Sequence, residues 1–198
     1  MKSEKMLAVL LACLLMVGCS STGSSSDPLT LQQFEEKYKR AAWDEMLASP
    51  MEFINDLHSI YTLPFEQAVP DAADLESEVE SYGTTYKKDI VLFNRTFTVY
   101  ITDYEKFWGC HLSYEGDSEE CYNSFRTMFE SIIKAEGDPT ILSVSADDVD
   151  EAAFRKALDS NDLDASLSAH WTKKSGDSEV TVALISYWNY TGGTLSIW

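Results

Sequence analysis

The first 28 residues constrain the fold most, because their composition separates them from the rest of the chain. Met6–Val17 is a run of twelve uncharged residues that follows Lys2 and Lys5. A helix needs about 20 apolar residues to cross a bilayer, so this run is too short for a transmembrane span and is typical of an export signal. Ser20–Asp27 is rich in Ser and Gly and has no apolar side chain, the composition of a flexible tether. The sequence therefore predicts that folded structure begins near Leu29.

The apolar run ends in a tetrapeptide, Met16-Val17-Gly18-Cys19, in which a small residue precedes a cysteine. This tetrapeptide resembles the lipobox of bacterial prolipoproteins, where an aliphatic residue, a variable small or aliphatic residue, and Gly or Ala precede Cys. Met16 stands where Leu is usual. The resemblance implies cleavage before Cys19 and attachment of a diacylglyceryl group, with fatty acyl chains such as palmitate, to its sulfur. Ser20 after the cysteine favours the outer membrane in a cell that has one.

This interpretation divides the chain into a lipoprotein signal peptide (1–18), a tether (19–28) and a single folded domain (29–198). It places the domain in the cell envelope, anchored by lipid and facing the periplasm or the exterior. Two alternatives stay open. A secretory signal cleaved without lipidation would also export the domain, and a buried N-terminal helix would keep the apolar run inside the fold.

The charge of the chain excludes one class of partner. The formal net charge is −18, and removing 1–18, which holds two Lys and one Glu, would make it about −19. Nucleic-acid phosphates bind Lys and Arg patches, so no nucleic-acid partner is expected. Anionic headgroups would repel the same surface, so the membrane is expected to be a partner only through the N-terminal lipid.

Two cysteines remain once Cys13 and Cys19 are assigned to the signal and the lipid. Cys110 and Cys121 flank a polar, turn-like segment, and an even number of cysteines in an exported protein predicts a disulfide. On the chain-entropy model such a bond would contribute roughly 3 kcal/mol. The rival hypothesis, a nucleophilic Cys110 activated by His111, lacks an orienting partner.

Helical patterns dominate the first third of the folded part. Thr30 is the expected N-cap of a first helix, and Ser49-Pro50 separates it from a second helix with a clean apolar stripe. Residues 64–85 are acidic and turn-rich, which predicts a solvated loop with one short helix. Ile90–Thr102 alternates β-branched and aromatic residues. Asn94-Arg95 in its middle leaves one long bulged strand and a hairpin both open.

The second half predicts a long helix followed by a small sheet. The helix carries an apolar face from Tyr122 to Ile133 and ends at Gly137. A short strand over 141–145 and a small helix follow. Three alternating strands then finish the chain, with a turn at Gly192-Gly193. The predicted fold class is α+β, with helices packed on one face of an antiparallel sheet that ends in a three-stranded C-terminal meander. The pattern over 121–198 resembles small envelope lipoproteins of this architecture, and this resemblance assigns no functional residue.

No catalytic or metal motif stands out. The three His residues are scattered at 58, 111 and 170, without a zinc-ligand spacing, so no metal site, cofactor or catalytic residue is predicted. Asp159–Asp164 has Leu and Asp where a calcium loop needs an oxygen ligand and Gly. Acidic clusters of this kind are typical of solvated or capping groups.

Aromatic residues concentrate near the predicted C-terminal sheet. Most are expected in the core, but Tyr187, Tyr190 and Trp198 are candidates for a binding patch. The sequence thus predicts a lipid-anchored envelope lipoprotein that binds or scaffolds another envelope component, either a protein or a glycan. The alternative is a hydrolase of envelope polymers that uses a pair of carboxylates.

Overall fold

Six helices and eight strands make up the described part of the chain. The computed structural model describes residues 27–80, 83–104, 108–144, 150–160, 166–175, 178–189 and 192–198. The helices are α1 (Leu31–Tyr38), α2 (Trp43–Ala48), α3 (Met51–Ile60), α4 (Phe65–Ala68), α5 (Ser118–Glu136) and α6 (Glu151–Ser160), with a 3-10 turn at Ala72–Asp74. The strands are β1 (Glu76–Glu80), β2 (Gly83–Leu92), β3 (Arg95–Tyr104), β4 (Trp108–Gly116), β5 (Ile141–Ser143), β6 (Ser166–Ser175), β7 (Ser178–Asn189) and β8 (Gly192–Ile197).

All eight strands pair antiparallel in one sheet, in the order β1-β2-β3-β4-β8-β7-β6-β5. The sheet therefore consists of a four-stranded N-terminal meander and a C-terminal meander of β6, β7 and β8, which meet where β4 pairs with β8, and β5 pairs with β6 at the far edge. The predicted α+β class, with helices packed on an antiparallel sheet and a three-stranded meander at the end, is confirmed.

Local signals fix the ends of several helices as predicted. The Thr30 hydroxyl accepts from the backbone N–H of Gln33 and the Gln33 side chain accepts from the backbone N–H of Thr30, a capping box at the start of α1. Pro50 begins α3 as its N-cap, but the single helix predicted between Thr30 and Ser49 is divided into α1 and α2. The carboxylate of Asp117 caps α5, which ends at Gly137 with φ of 86°.

The segment Ile90–Thr102 is a hairpin. Phe93 and Asn94 both have φ of 56°, the geometry of a two-residue turn whose twist suits a hairpin. The backbone N–H groups of Phe93 and Asn94 donate to the carbonyls of Tyr38 and Lys39, at 2.8 and 2.9 Å. The turn reverses the alternation, so Val91 is 37% exposed, although an uninterrupted strand would place it on the same face as buried Phe97 and Val99.

The predicted solvated loop over 64–85 is only partly correct. It contains the short helix α4 and the 3-10 turn, but its second part is the edge strand β1, which pairs with β2 from Glu76 opposite Lys87 to Glu80 opposite Gly83. Three glutamates in five residues hid the strand, because charged residues on an edge strand protect it from pairing with other chains.

Sheet and helices share one hydrophobic cluster. Phe34 and Phe53 from the N-terminal helices are fully buried, and so are Phe125 and Phe154 from α5 and α6. The sheet contributes alternate residues of its strands, such as Leu112 and Ile197, which lie opposite each other. A single core therefore lies between the helices and one face of the sheet.

Candidate functional site

The sheet presents a second face, which we call the open face because the described helices lie on the other side. In β4, Cys110, Leu112 and Tyr114 join the core, so His111 and Ser113 take the open face. Antiparallel sheets commonly pack one face against a core and leave the other toward solvent.

The strand register aligns the open-face residues in rows that cross the sheet. One row carries mostly small hydroxyl side chains: Thr98, Ser113, Ser196, Ile185, Ser168 and Ser143. Apart from Ala183, the next row carries larger side chains: Lys87, Tyr100, His111, Trp198, Ala183, His170 and Ile141. The open face is therefore polar and flat along the first row and aromatic along the middle of the second.

Tyr100, His111 and Trp198 form what we call the aromatic stack. The ring centroids of Tyr100 and His111 are 4.8 Å apart with planes at 11°, and those of His111 and Trp198 are 4.0 Å apart with planes at 16°. Side chains directly opposite on neighbouring strands have Cβ atoms about 4.5–5.5 Å apart, which suits the stacking of planar rings. Trp198 is 40% exposed and ends the stack toward solvent.

The aromatic stack is uncharged at neutral pH. Burial lowers the pKa of His111 to about 4, because the imidazolium form would lose its hydration between the two rings. A cation lies at the other end of the stack, where Lys87 Nζ is 5.7 Å from the centroid of the Tyr100 ring.

A first cleft of about 150 Å³ opens beside the aromatic stack. Thr102, Tyr104 and Gly109 line it together with the rings of His111 and Trp198, and Tyr61 and Cys110 reach it from the helix side. Gly109 creates the space, since a Cβ atom at this position would meet no atom within 4 Å.

A second cleft of about 300 Å³ lies on the other side of Tyr100, over the first three strands. Glu76, Glu78, Thr85 and Lys87 are among its lining residues. The two clefts adjoin, because Thr85 of the second and Thr102 of the first are cross-strand partners with hydroxyl oxygens 3.2 Å apart.

The segment after α3 holds the strand end that carries this site. The Tyr61 hydroxyl donates to the carbonyl of Cys110, and Trp108 Nε1 donates to the carbonyl of Leu63 at 3.1 Å. The rings of Tyr61 and Trp108 meet edge to face, with centroids 5.5 Å apart. These contacts fix the first residues of β4 and with them the positions of Gly109 and His111.

Of the predicted binding patch, the structure places only Trp198 in this site. Tyr187 lies in β7 opposite Thr194, four residues along the strand from Ala183, the backbone partner of Trp198. Four residues of strand correspond to about 13 Å, so the backbone of Tyr187 is remote from the aromatic stack. Tyr190 and the lipidation candidate Cys19 lie outside the described residues.

The predicted disulfide between Cys110 and Cys121 is not formed in this structure, where both residues are buried free thiols. The supposed polar loop between them is the second half of β4 and the start of α5. Cys121 contacts the backbone of Gly116, which is six positions beyond Cys110 and thus about 20 Å away along the strand. A disulfide needs Cα atoms within about 7 Å of each other. Burial raises the pKa of Cys110 to about 12, which also opposes the nucleophile hypothesis.

Other chemistry near the site is limited in the described ranges. There, no three His, Cys, Asp or Glu side chains lie together as metal ligands would. Glu76 and Glu78 line the second cleft, but both are exposed on the edge strand.

None of the helices described for this chain is long and apolar enough to cross a membrane. Comparison with known proteins finds no matching family model, curated protein or solved structure.

The residues of the site that sequence reasoning missed include Tyr100, Thr102, Gly109 and His111. Tyr100 and Thr102 alternate with the apolar residues of a strand that was predicted, so their common face was available from the pattern. His111 falls in the segment predicted to be turn-like. The less polar residues Cys110, Leu112 and Tyr114 around it nevertheless alternate with more polar ones, as in a strand. Their convergence with Trp198 depends on the pairing of β4 with β8, which no local signal reports.

Proposed function

We propose that this protein is a lipid-anchored envelope lipoprotein whose open face binds another envelope component. The anchor is Cys19, supported by the resemblance of its tetrapeptide to a lipobox and by the Ser- and Gly-rich segment that follows it. The acidic folded part stays off anionic headgroups, so the lipid alone holds it at the membrane. The outer membrane is the proposed location in a cell that has one.

The observation that carries the binding function is the aromatic stack beside the first cleft. A half-exposed Trp198 next to a concave surface is costly to leave in water, and aromatic residues are enriched at binding sites. Small hydroxyl side chains flank the aromatic stack in the neighbouring row. This combination suits recognition better than it suits a purely structural surface.

Anchoring and binding need separate tests. For anchoring, intact-mass analysis of the mature protein should find acylated Cys19 as the first residue, and Cys19→Ala should release the protein from the membrane fraction. An unmodified sulfur on Cys19, or a retained Met1, would refute the anchor.

For binding, a photo-cross-linking residue is placed in cells at Ser196 on the open face, with Asn123 on the exposed side of α5 as the matched control. The proposal expects a discrete envelope product from position 196 and none from position 123. Equal products from both positions, or none from position 196, would refute binding through the open face.

A further inference from the structure

The two clefts form one groove across the open face. Thr85, Thr102 and Gly109 lie along its floor, the aromatic stack bounds one side, and Tyr104 lies on the other. The floor crosses the four strands β1 to β4, where Glu78, Thr85, Thr102 and Gly109 pair in register, and three intervals of about 4.8 Å amount to roughly 14 Å. A ligand that fills it is therefore several ring widths long.

The first cleft combines aromatic surface with uncharged polar groups. The described side chains that line it are rings and hydroxyls together with the Cys110 thiol, and none of these described residues is Asp, Glu, Lys or Arg. His111 adds no charge at neutral pH. Its volume of about 150 Å³ is below the 300–1,000 Å³ of pockets for drug-sized ligands, so it accommodates a single small ring. A sugar ring carries both C–H surface for the aromatic walls and hydroxyls for the polar floor.

An extended peptide is a poor fit to this groove. Peptides that add to sheets bind at an edge, where unpaired backbone groups accept them. Over the groove, β2 and β3 have a paired strand on both sides, so their N–H and C=O groups are committed to the ladders. The pairing of β4 with β8 starts only at Leu112, but an occupant that crosses the strands does not run along β4 beside Gly109. A peptide lying across them would leave its own backbone groups without partners.

A polyanion is also a poor fit. Glu76 and Glu78 line the second cleft with one lysine, Lys87, and the chain as a whole carries a formal charge of −18. Phosphate, sulfate or carboxylate groups along the ligand would be repelled by this surface. Charge therefore selects against an anionic chain, and the described lining of the first cleft offers a cationic ring no Asp or Glu.

We infer that the groove binds an uncharged oligosaccharide, with one sugar ring in the cleft over Gly109 and the chain continuing past Tyr100 toward β1. This inference rests on the proposed function and names the ligand class of the open face. The occupant runs across the strands, so its length and its contact with Gly109 are both testable.

The test is isothermal titration calorimetry of the mature chain with neutral oligomers of N-acetylglucosamine, glucose or mannose, of two, four and six units. We expect binding of at least one series, with an affinity that rises at least threefold from two units to four. An oligogalacturonate and a neutral hexapeptide serve as the charged and peptide probes.

Gly109→Val is the decisive variant, because its Cβ atom would meet no atom within 4 Å and its two methyl groups would occupy space in the cleft. Val favours a strand more than Gly, so the variant should fold at least as stably as the parent. Binding should fall at least tenfold. Trp198→Ala should do the same, whereas Ile141→Ala, equally exposed in the same row at the far edge of the sheet, should leave binding unchanged.

Each outcome decides the inference. Sugar binding that both groove variants weaken supports it. No binding of any neutral series at millimolar concentration, or binding that Gly109→Val leaves intact, overturns it. Binding of the peptide or the oligogalacturonate alone overturns the ligand class but leaves the proposed function standing, and that function fails separately if position 196 yields no cross-linked product.

Discussion

Acid should weaken the fold through His111, which lies between two rings. Its pKa is about 4 in the folded protein against an ordinary value of 6.5, because burial disfavours the charged ring. The unfolded chain takes up the proton first, so the stabilisation is complete above about pH 6.5 and is lost as the pH falls toward 4. At about 1.36 kcal/mol per pH unit, the full difference corresponds to about 3 kcal/mol. Because the ring is partly exposed, solvent screening reduces the expected contribution of His111 to the free energy of unfolding to about 2 kcal/mol.

The assay compares the free energy of unfolding in urea for the parent and for His111→Phe, from about pH 7 to 4.5. Phe keeps a planar ring in the aromatic stack and removes the titrating group. His58 and His170 also have pKa values lowered by burial, but they are common to both proteins and cancel in the difference. Over this pH range, the free energy of unfolding should fall by roughly 2 kcal/mol more for the parent than for the variant. Curves that stay parallel within about 0.5 kcal/mol would refute a buried, neutral His111.

Three further predictions concern the framework. Glu120→Gln should lower the free energy of unfolding by about 1.5–3 kcal/mol. The Glu120 carboxylate accepts hydrogen bonds of 2.6 Å from both Arg95 and a tyrosine on β4, and its side chain is only 28% exposed. Glu130→Gln should lower the free energy of unfolding in urea by only about 0.3–0.5 kcal/mol, because the Glu130 side chain of its ion pair is 63% exposed. Equal losses for Glu120→Gln and Glu130→Gln would contradict the role of burial. Thr30→Ala should cost about 1 kcal/mol in the same assay through loss of the capping box, and an unchanged midpoint would show that α1 does not need it. Buried Cys110 and Cys121 should react with a thiol reagent slowly in the native protein and fully after denaturation; two thiols that stay unreactive in denaturant would indicate a disulfide.

Elements with local determinants were predictable from the sequence. The capping box at Thr30, the end of α5 at Gly137 and the alternating strands after residue 165 each depend on residues within one turn or one hairpin. Such signals combine secondary-structure propensity, helix capping and hydrophobic periodicity. They agree with the fold because tertiary packing reinforces them.

Elements whose pattern conflicts with their structure were not predictable. The edge strand β1 has Glu at three of its five positions, and its pairing with β2 is visible only from the register. The turn at Phe93 and Asn94 lacks the glycine that usually accepts positive φ. The ring of Phe93 compensates, since it packs against Tyr38, Trp43 and Phe53 and is 4% exposed. Burial of a large ring thus holds a backbone conformation that the local sequence does not favour.

The candidate site depends on the longest-range pairing in the chain. Tyr100 and His111 belong to the N-terminal meander and Trp198 follows the C-terminal one, so the aromatic stack exists only when β4 pairs with β8. The same pairing brings Leu112 and Ile197 together in the core beneath. A one-residue slip of β8 along β4 would move Ile197 out of the core and remove Trp198 from His111 at once. Core burial therefore enforces the register that assembles the open-face groove, and the site is as precise as the packing underneath it.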